Sequence, residues 1–196
     1  MSKVILIDNG HGINTRGKCS PDKRLMEWRW TREVAAMVCE MLMKKGIDAR
    51  LLVPEDTDIS LSERVRRANV VCRQHGAGNV ALVSIHVNAA GADGKWHDAR
   101  GFSVWVARTC SANSKKLAQL MYAEAEKRNL KGNRSVPKEK YWQADFAMVK
   151  NTSCPAVLTE NLFQDNKEDV DYLLTVEGHE TIAEMHVEAI MKYLNQ

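Results

Sequence analysis

The sequence lacks several features that would assign it to a specialised class of protein. Its 196 residues contain no segment near the roughly 18 apolar residues that a transmembrane helix needs. Five cysteines are present, an odd number without a CxxC pair, which argues against a disulfide framework and a thiolate metal site. We therefore predict reduced thiols packed as small hydrophobic side chains. They are Cys19, Cys39, Cys72, Cys110 and Cys154.

The sequence also has little excess charge of either sign. Its 28 basic and 25 acidic residues give a formal net charge of +3. No basic stripe interleaved with aromatic residues is present, so nucleic acid is not an expected partner. The small positive excess mildly favours a polyanionic surface instead.

The N-terminal residues do not form a recognisable export signal. A signal peptide needs a basic start, an apolar stretch and a small-residue cleavage site. The apolar run Val4–Ile7 is too short and ends at Asp8. We expect a chain made in the cytoplasm without a signal peptide, and the length predicts one domain over residues 1–196.

Predicted strands and helices alternate along the chain. Short apolar runs predict strands at 4–8, 47–53, 81–86, 101–107, 146–149 and 156–159. Helical spacing of apolar residues predicts helices at 27–45, 61–75, 111–129 and 177–194. Residues 9–26 and 130–145 read as irregular. This order predicts a single three-layer α/β domain, with a mostly parallel central sheet of about six strands and helices on both faces.

Four residues with catalytic side chains follow predicted strands or begin a helix. His11 follows the first strand, His86 ends the third and Glu160 ends the last, while Glu27 opens the first helix. Each has an ordinary explanation by itself; Glu27, for example, suits the positive end of a helix dipole. Because the carboxyl ends of parallel strands meet at one edge of a sheet, we expect the four to converge.

Together, these four residues supply the chemistry of a catalytic metal site. Two histidines and one glutamate are the ligand set of open zinc sites, whose fourth ligand is water. A second glutamate can serve as the general base for that water. An all-oxygen magnesium or calcium site would not use two histidines. We interpret the other four histidines as surface or structural; they are His75, His97, His179 and His186.

Five segments match, in order and spacing, the motifs of one enzyme family. They are the turn IDNGHG at 7–12, Glu27, the helix positions Leu61, Arg64, Ala68 and Asn69, the strand end SIHVNA at 84–89, and PAVLTENLF at 155–163. From Ile5 to Tyr193 the chain resembles the zinc-dependent N-acetylmuramoyl-L-alanine amidases of the Amidase_3 type. The resemblance implies that His11, Glu27 and His86 bind one zinc ion and that Glu160 is catalytic. It also makes Asn88 a candidate for positioning the substrate or the metal site.

Two positions depart from the family pattern. Asn9 stands where the family has proline, and Leu162 stands where glycine or alanine is common. Neither change removes a ligand, but Leu162 could alter the shape of the pocket. Arg64 and Asn69 are expected to support the fold, because both lie on a helix packed against the sheet.

The resemblance implies a substrate, the amide that joins the lactyl group of N-acetylmuramic acid to L-alanine in peptidoglycan. Some bacterial relatives carry a blocking helix, for which residues 130–145 leave no room, so no activator protein is expected. Without an export signal or a wall-binding module, the expected enzyme is a phage or prophage lysin acting on the cell wall. A host enzyme with an unusual export route is the alternative.

Two rival functions remain open. A zinc carboxypeptidase or other peptide amidase would share the metal site. It would need an arginine for the terminal carboxylate, which Arg108 or Arg134 could supply. A wall-binding module without catalysis is disfavoured because Glu160 is intact.

Overall fold

Six strands form one sheet in the computed structural model, which describes residues 3–195. They are β1 (Val4–Asn9), β2 (Asp48–Leu51), β3 (Val80–Asn88), β4 (Ser103–Val106), β5 (Trp142–Gln143) and β6 (Ala156–Phe163). Their order across the sheet is β2-β1-β3-β6-β4-β5. The first four in this order are mutually parallel, whereas β4 runs antiparallel to β6 and β5 runs parallel to β4.

Helices cover both faces of this sheet. They are α1 (Glu27–Lys44), α2 (Leu61–His75), α3 (Ala112–Lys127), α4 (Ala147–Lys150), α5 (Lys167–Leu173) and α6 (Val176–Leu194), with a 3-10 turn at Ala77–Asn79. Helices α1, α3 and α6 pack on one face, while α2 and α4 pack on the other. Within residues 3–195 no helix combines the length and the apolar character needed to cross a membrane.

The alternation of side chains along the strands divides the core into two layers. Ile85 and Val157 point toward α1, α3 and α6, whereas Leu82 and Leu158 point toward α2 and α4. All four are at least 94% buried, because the central strands have a helix layer on each side. The predicted three-layer α/β architecture with a mostly parallel sheet is confirmed.

Two local predictions were wrong. Residues 146–149 were predicted as a strand, but α4 begins at Ala147, where Met148 and Val149 pack toward α2. A four-residue apolar run does not distinguish a strand from a buried helical turn. Residues 130–145 were predicted as irregular throughout, yet Trp142 and Gln143 pair with β4 as a short edge strand.

Candidate metal centre and active site

The structure brings His11, Glu27 and His86 together at the carboxyl edge of the sheet. Glu27 Oε2 lies 3.4 Å from His11 Nε2, and Glu27 Oε1 lies 3.2 Å from His86 Nδ1. The two imidazole rings are 5.2 Å apart between centroids and nearly perpendicular. One ligand atom from each residue lies within 4.8 Å of the other two, a spacing that can hold a metal ion.

The turn after β1 holds His11 in an uncommon backbone conformation. Its φ is 61°, in the left-handed region that non-glycine residues rarely adopt. Arg32 Nη2 and Arg64 Nη2 each donate a hydrogen bond to the His11 carbonyl oxygen at 3.0 Å. Gly10 is required beside it, because a Cβ there would lie 2.5 Å from the His86 ring. The glycine therefore lets the two imidazoles approach each other.

Arg64 joins this turn to the interior of the sheet. Its guanidinium is buried and donates to Asp8 Oδ1 at 2.8 Å and to the Asn9 carbonyl oxygen at 2.6 Å. The second carboxylate oxygen of Asp8 accepts a hydrogen bond from Ser84 Oγ. These contacts tie α2, β1 and β3 together next to the turn that carries His11.

Asn69, the other residue expected to support the fold, links α2 to the segment that follows α4. Its Nδ2 donates to the Asn151 carbonyl oxygen at 3.0 Å, and its Oδ1 accepts the Ser153 N–H at 2.8 Å. This contact fixes the far end of α4, whose other end reaches the site.

The sheet becomes irregular on both sides of β3 next to Glu27. His86 pairs with Glu160, but Asn88 pairs with Phe163, so β6 carries one extra residue across this interval. Leu162 lies within the bulge at φ 64°, which explains why glycine suits this position. The Val87 N–H is on the other side of β3, facing β1, and lies beyond the last β1–β3 pair at Asn9 and Ile85. It is therefore available, and it donates to Glu27 Oε1 at 3.0 Å.

Glu27 has the properties of an ionised metal ligand. Burial acts to raise the pKa of its carboxyl group, but the neighbouring imidazoles of His11 and His86 outweigh burial and lower the pKa to about 2. Its Oε2 is buried without a hydrogen-bond partner among the described residues. A buried anionic oxygen facing two imidazoles fits a divalent cation, since ligands must be deprotonated to bind one.

Glu160 lies beside this cluster but outside it. It faces His86 across the β3–β6 ladder and Ser103 across the β6–β4 ladder. Burial raises the pKa of its carboxyl group to about 7, and the charge of Glu27 acts in the same direction. A carboxyl group that exchanges its proton near neutral pH suits a general acid or base.

A cavity of about 330 Å³ contains the cluster and Glu160. Asn88 also lines it, and the Asn88 Oδ1 accepts the N–H of Ala89 at 2.9 Å. Lys18 and Phe146 line the same cavity and were not singled out from the sequence. Lys18 lies in the irregular loop, and Phe146 adjoins the segment predicted wrongly as a strand, so no motif marked either residue.

His186 is structural, as predicted. It is fully buried on α6, where its Nδ1 lies 2.8 Å from the Ile182 carbonyl oxygen and accordingly carries the proton. Its Nε2 then accepts a hydrogen bond from Thr159 Oγ1 at 2.9 Å. Asn161 Nδ2 donates both to Thr159 Oγ1 and to the His86 carbonyl oxygen. This buried network joins α6 to the backbone of β3 at the metal-binding cluster.

The two candidates for the single arginine that a carboxypeptidase would need occupy different environments. Arg108 has a side chain that is 71% exposed and lies 3.8 Å from Asp145. Arg134 is half-buried and donates to Ser103 Oγ at 3.2 Å, beside Glu160. Of the two, Arg134 is the one placed near the site.

The chain is similar to known proteins over its whole length. The chain is 29% identical to an endolysin of Bacillus phage SPP1 over 100% of the chain and 67% of that protein. It is 28% identical to N-acetylmuramoyl-L-alanine amidase CwlM of Bacillus licheniformis over 97% of the chain and 68% of that protein. The crystal structure of N-acetylmuramoyl-L-alanine amidase from Clostridium difficile 630 superposes with a TM-score of 0.84 at 25% identity, covering 100% and 98% of the two chains.

The sequence model of one protein family matches nearly the whole chain. It is the Amidase_3 model, described as N-acetylmuramoyl-L-alanine amidase, and it matches residues 5–192. The convergent His–Glu–His cluster lies within this range, as does the fold apart from the first residue of β1 and the end of α6. The chain therefore belongs to the Amidase_3 family of N-acetylmuramoyl-L-alanine amidases.

Proposed function

We propose that this amidase holds one zinc ion with His11, Glu27 and His86 and uses Glu160 as its general base. The bond cut is the amide between the lactyl group of N-acetylmuramic acid and L-alanine in peptidoglycan. The observation that carries the assignment is the spacing of the three ligand atoms within 4.8 Å, with Glu160 on the neighbouring strand. His₂Glu is a ligand set typical of catalytic zinc.

In the proposed reaction the zinc ion and Glu160 have different roles. Bound zinc supplies Lewis acidity, which lowers the pKa of water from 15.7 to about 7. Glu160 takes a proton from the attacking water and returns one to the nitrogen of L-alanine as the amide C–N bond breaks. The products are a free lactyl carboxylate and a peptide with a new amino terminus. A pKa of about 7 lets Glu160 accept and donate the proton at neutral pH.

Asn88 is proposed to position the substrate in the cavity. Its Oδ1 is engaged by the N–H of Ala89, which fixes the plane of the side-chain amide. The Nδ2 group then remains to donate hydrogen bonds to a carbonyl oxygen of the substrate. This role requires only that Asn88 stay half-exposed at the cavity wall, as it is.

The enzyme is proposed to act without an activator protein. Among the described residues no helix lies between α3 and β5, and the cavity is lined instead by Phe146 and the start of α4. The similarity to a phage endolysin supports a lysin of the phage or prophage type that acts on the cell wall.

The test is a digestion of defined muropeptides by the purified chain alone. Mass analysis should find free N-acetylmuramic acid and peptides that begin with L-alanine, and chelation should abolish their release until zinc is added back. A carboxypeptidase, for which Arg134 is the supporting observation, would instead shorten the peptides at their carboxyl ends. That result, or cleavage only in the presence of a second protein, would contradict the proposal.

A further inference from the structure

Arg134 is held rigidly at the same end of the sheet as Glu160. Its guanidinium carbon lies 5.2 Å from the centroid of the Trp142 ring and 5.4 Å from that of Phe163. Its Nη1 donates a hydrogen bond to Ser103 Oγ at 3.2 Å. Two aromatic contacts and one hydrogen bond restrict a side chain that would otherwise be mobile.

This guanidinium has unused hydrogen-bonding capacity. Arginine carries five N–H donors, and Ser103 is the one side chain among residues 3–195 that accepts from Arg134. No carboxylate of the described residues forms an ion pair with it. Burial lowers the pKa of Arg134, although the carboxylate of Glu160 acts in the opposite direction. A half-buried cation without a counter-ion is unfavourable by itself, so the arrangement calls for an anionic ligand.

The wall of the cavity continues to Arg134. Phe146, which lines the cavity, packs against Trp105 with ring centroids 5.5 Å apart. The indole N–H of Trp105 donates to Ser103 Oγ at 3.1 Å, the same oxygen that Arg134 contacts. Ser103 and Glu160 are paired across the β4–β6 ladder, so their side chains share a face of the sheet. A substrate whose amide reaches Glu160 can extend along this wall.

We propose that Arg134 binds a carboxylate of the peptide stem and makes the enzyme prefer stems in which the residue next to L-alanine carries a free carboxylate. The inference rests on the proposed function, because it assumes that the stem peptide lies beyond the amide at Glu160. The planar guanidinium offers two parallel N–H donors, the geometry that a carboxylate accepts. A carboxamide at the same place would present an N–H₂ group to a cation and would be bound less well.

The test compares two N-acetylmuramoyl peptides that differ at one group. Both have L-alanine first, and the second residue carries either a free carboxylate or the corresponding carboxamide. We expect kcat/KM to favour the carboxylate by at least about tenfold, the effect of one charge-assisted hydrogen bond. Arg134→Gln should abolish this preference by reducing kcat/KM for the acidic peptide alone. Arg134→Lys should restore part of it, and the exposed Arg108→Gln should leave it unchanged.

Binding provides a second measurement that does not depend on turnover. In a Glu160→Ala background, calorimetry should show about tenfold tighter binding of the acidic peptide, and adding Arg134→Gln should remove the difference. Equal loss of kcat/KM on both peptides, or unchanged selectivity in Arg134→Gln with a native melting temperature, would overturn the proposal. If the unaltered chain cut neither peptide at the lactyl amide, the proposed function itself would fail.

Discussion

Arg64 donates a hydrogen bond from Nη2 to the backbone oxygen of His11 at 3.0 Å, although 53 residues separate them in the chain. The same guanidinium pairs with the buried carboxylate of Asp8. One side chain on α2 therefore fixes both the strand that precedes the turn and the turn that carries an imidazole of the metal cluster. We therefore predict that metal binding and folding are coupled through this arginine.

Arg64→Lys should lower both stability and zinc affinity. Lysine retains the charge but cannot reach Asp8, Asn9 and His11 together, so buried hydrogen bonds to a charged group are lost. We expect the free energy of unfolding to fall by about 2 kcal/mol or more. Zinc affinity should fall by about 10–100-fold, as for other groups that orient metal ligands. Urea titration and competition with a chelator measure the two effects.

Arg66→Lys is the matched control. Arg66 lies on the same helix, but its side chain is 63% exposed and pairs with Glu63 at the surface. Surface ion pairs contribute about 0–1 kcal/mol, so this variant should bind zinc normally. Equal zinc affinity in the Arg64 and Arg66 variants would refute the coupling.

The two glutamates of the site should respond differently to removal. Glu160→Ala should retain one zinc ion per chain and lose about 10²–10⁴-fold in rate, because only the base is missing. Glu27→Ala should lose both zinc and activity, because two histidines hold zinc poorly. The measurements are metal content and product release. Metal loss in the Glu160 variant with retention in the Glu27 variant would mean that the assigned roles are reversed.

Reducing agent should change neither activity nor the thermal midpoint. All five cysteines are free thiols, and Cys39, Cys72 and Cys154 are buried. Burial raises the pKa of the Cys39 thiol to about 12, so this group has almost no reactive thiolate at neutral pH. A thiol reagent should therefore modify Cys19 and Cys110 first and the buried three only after unfolding. A loss of about 2–4 kcal/mol in stability on reduction would indicate a disulfide instead.

Acid should destabilise the fold through His186. Burial lowers the pKa of this side chain from 6.5 to about 4, against a hydrogen bond with the Ile182 carbonyl oxygen. The unfolded chain takes up a proton below pH 6.5 and the folded chain does not. The contribution of neutral His186 to stability is therefore complete above pH 6.5. As the pH falls from 6.5 toward 4, the free energy of unfolding decreases by about 3 kcal/mol at most.

Urea midpoints at pH 7 and pH 5 would detect this effect. Metal-free protein should be used, so that the pH dependence of metal binding does not contribute. The decrease in midpoint between the two pH values should be smaller in His186→Gln than in the unaltered chain. An equal decrease in both proteins would assign the acid sensitivity to other groups.

Much of the site could be predicted because its residues occupy positions that the sequence marks. His11, His86 and Glu160 each end a strand that is apolar enough to identify, and parallel strands bring their ends to one edge. Glu27 begins a helix whose apolar spacing is regular. The convergence of these four residues follows from the topology of the sheet rather than from any one motif.

Other features depend on contacts that a linear pattern does not encode. The two-residue strand at Trp142 is stabilised by pairing with β4. The helical turn that begins at Ala147 is stabilised by packing against α2. The position of Arg134 beside Glu160 depends on Ser103, from a different strand, and on two aromatic rings. Ser103 lies 31 residues from Arg134 in the sequence.

The main-chain hydrogen bond to Glu27 has a consequence for which substitutions the site can tolerate. The donor that orients Glu27 is the main-chain N–H of Val87, which every amino acid except proline possesses. The side chain at position 87 can therefore change with the packing of the core, and the hydrogen bond that orients Glu27 is retained. We expect Val87→Ile to keep zinc and Val87→Pro to lose it. The contact depends instead on where β1 ends, because the last β1–β3 pair is Asn9–Ile85 and the Val87 N–H lies just beyond it. A longer β1 would pair with that N–H and remove the donor from Glu27.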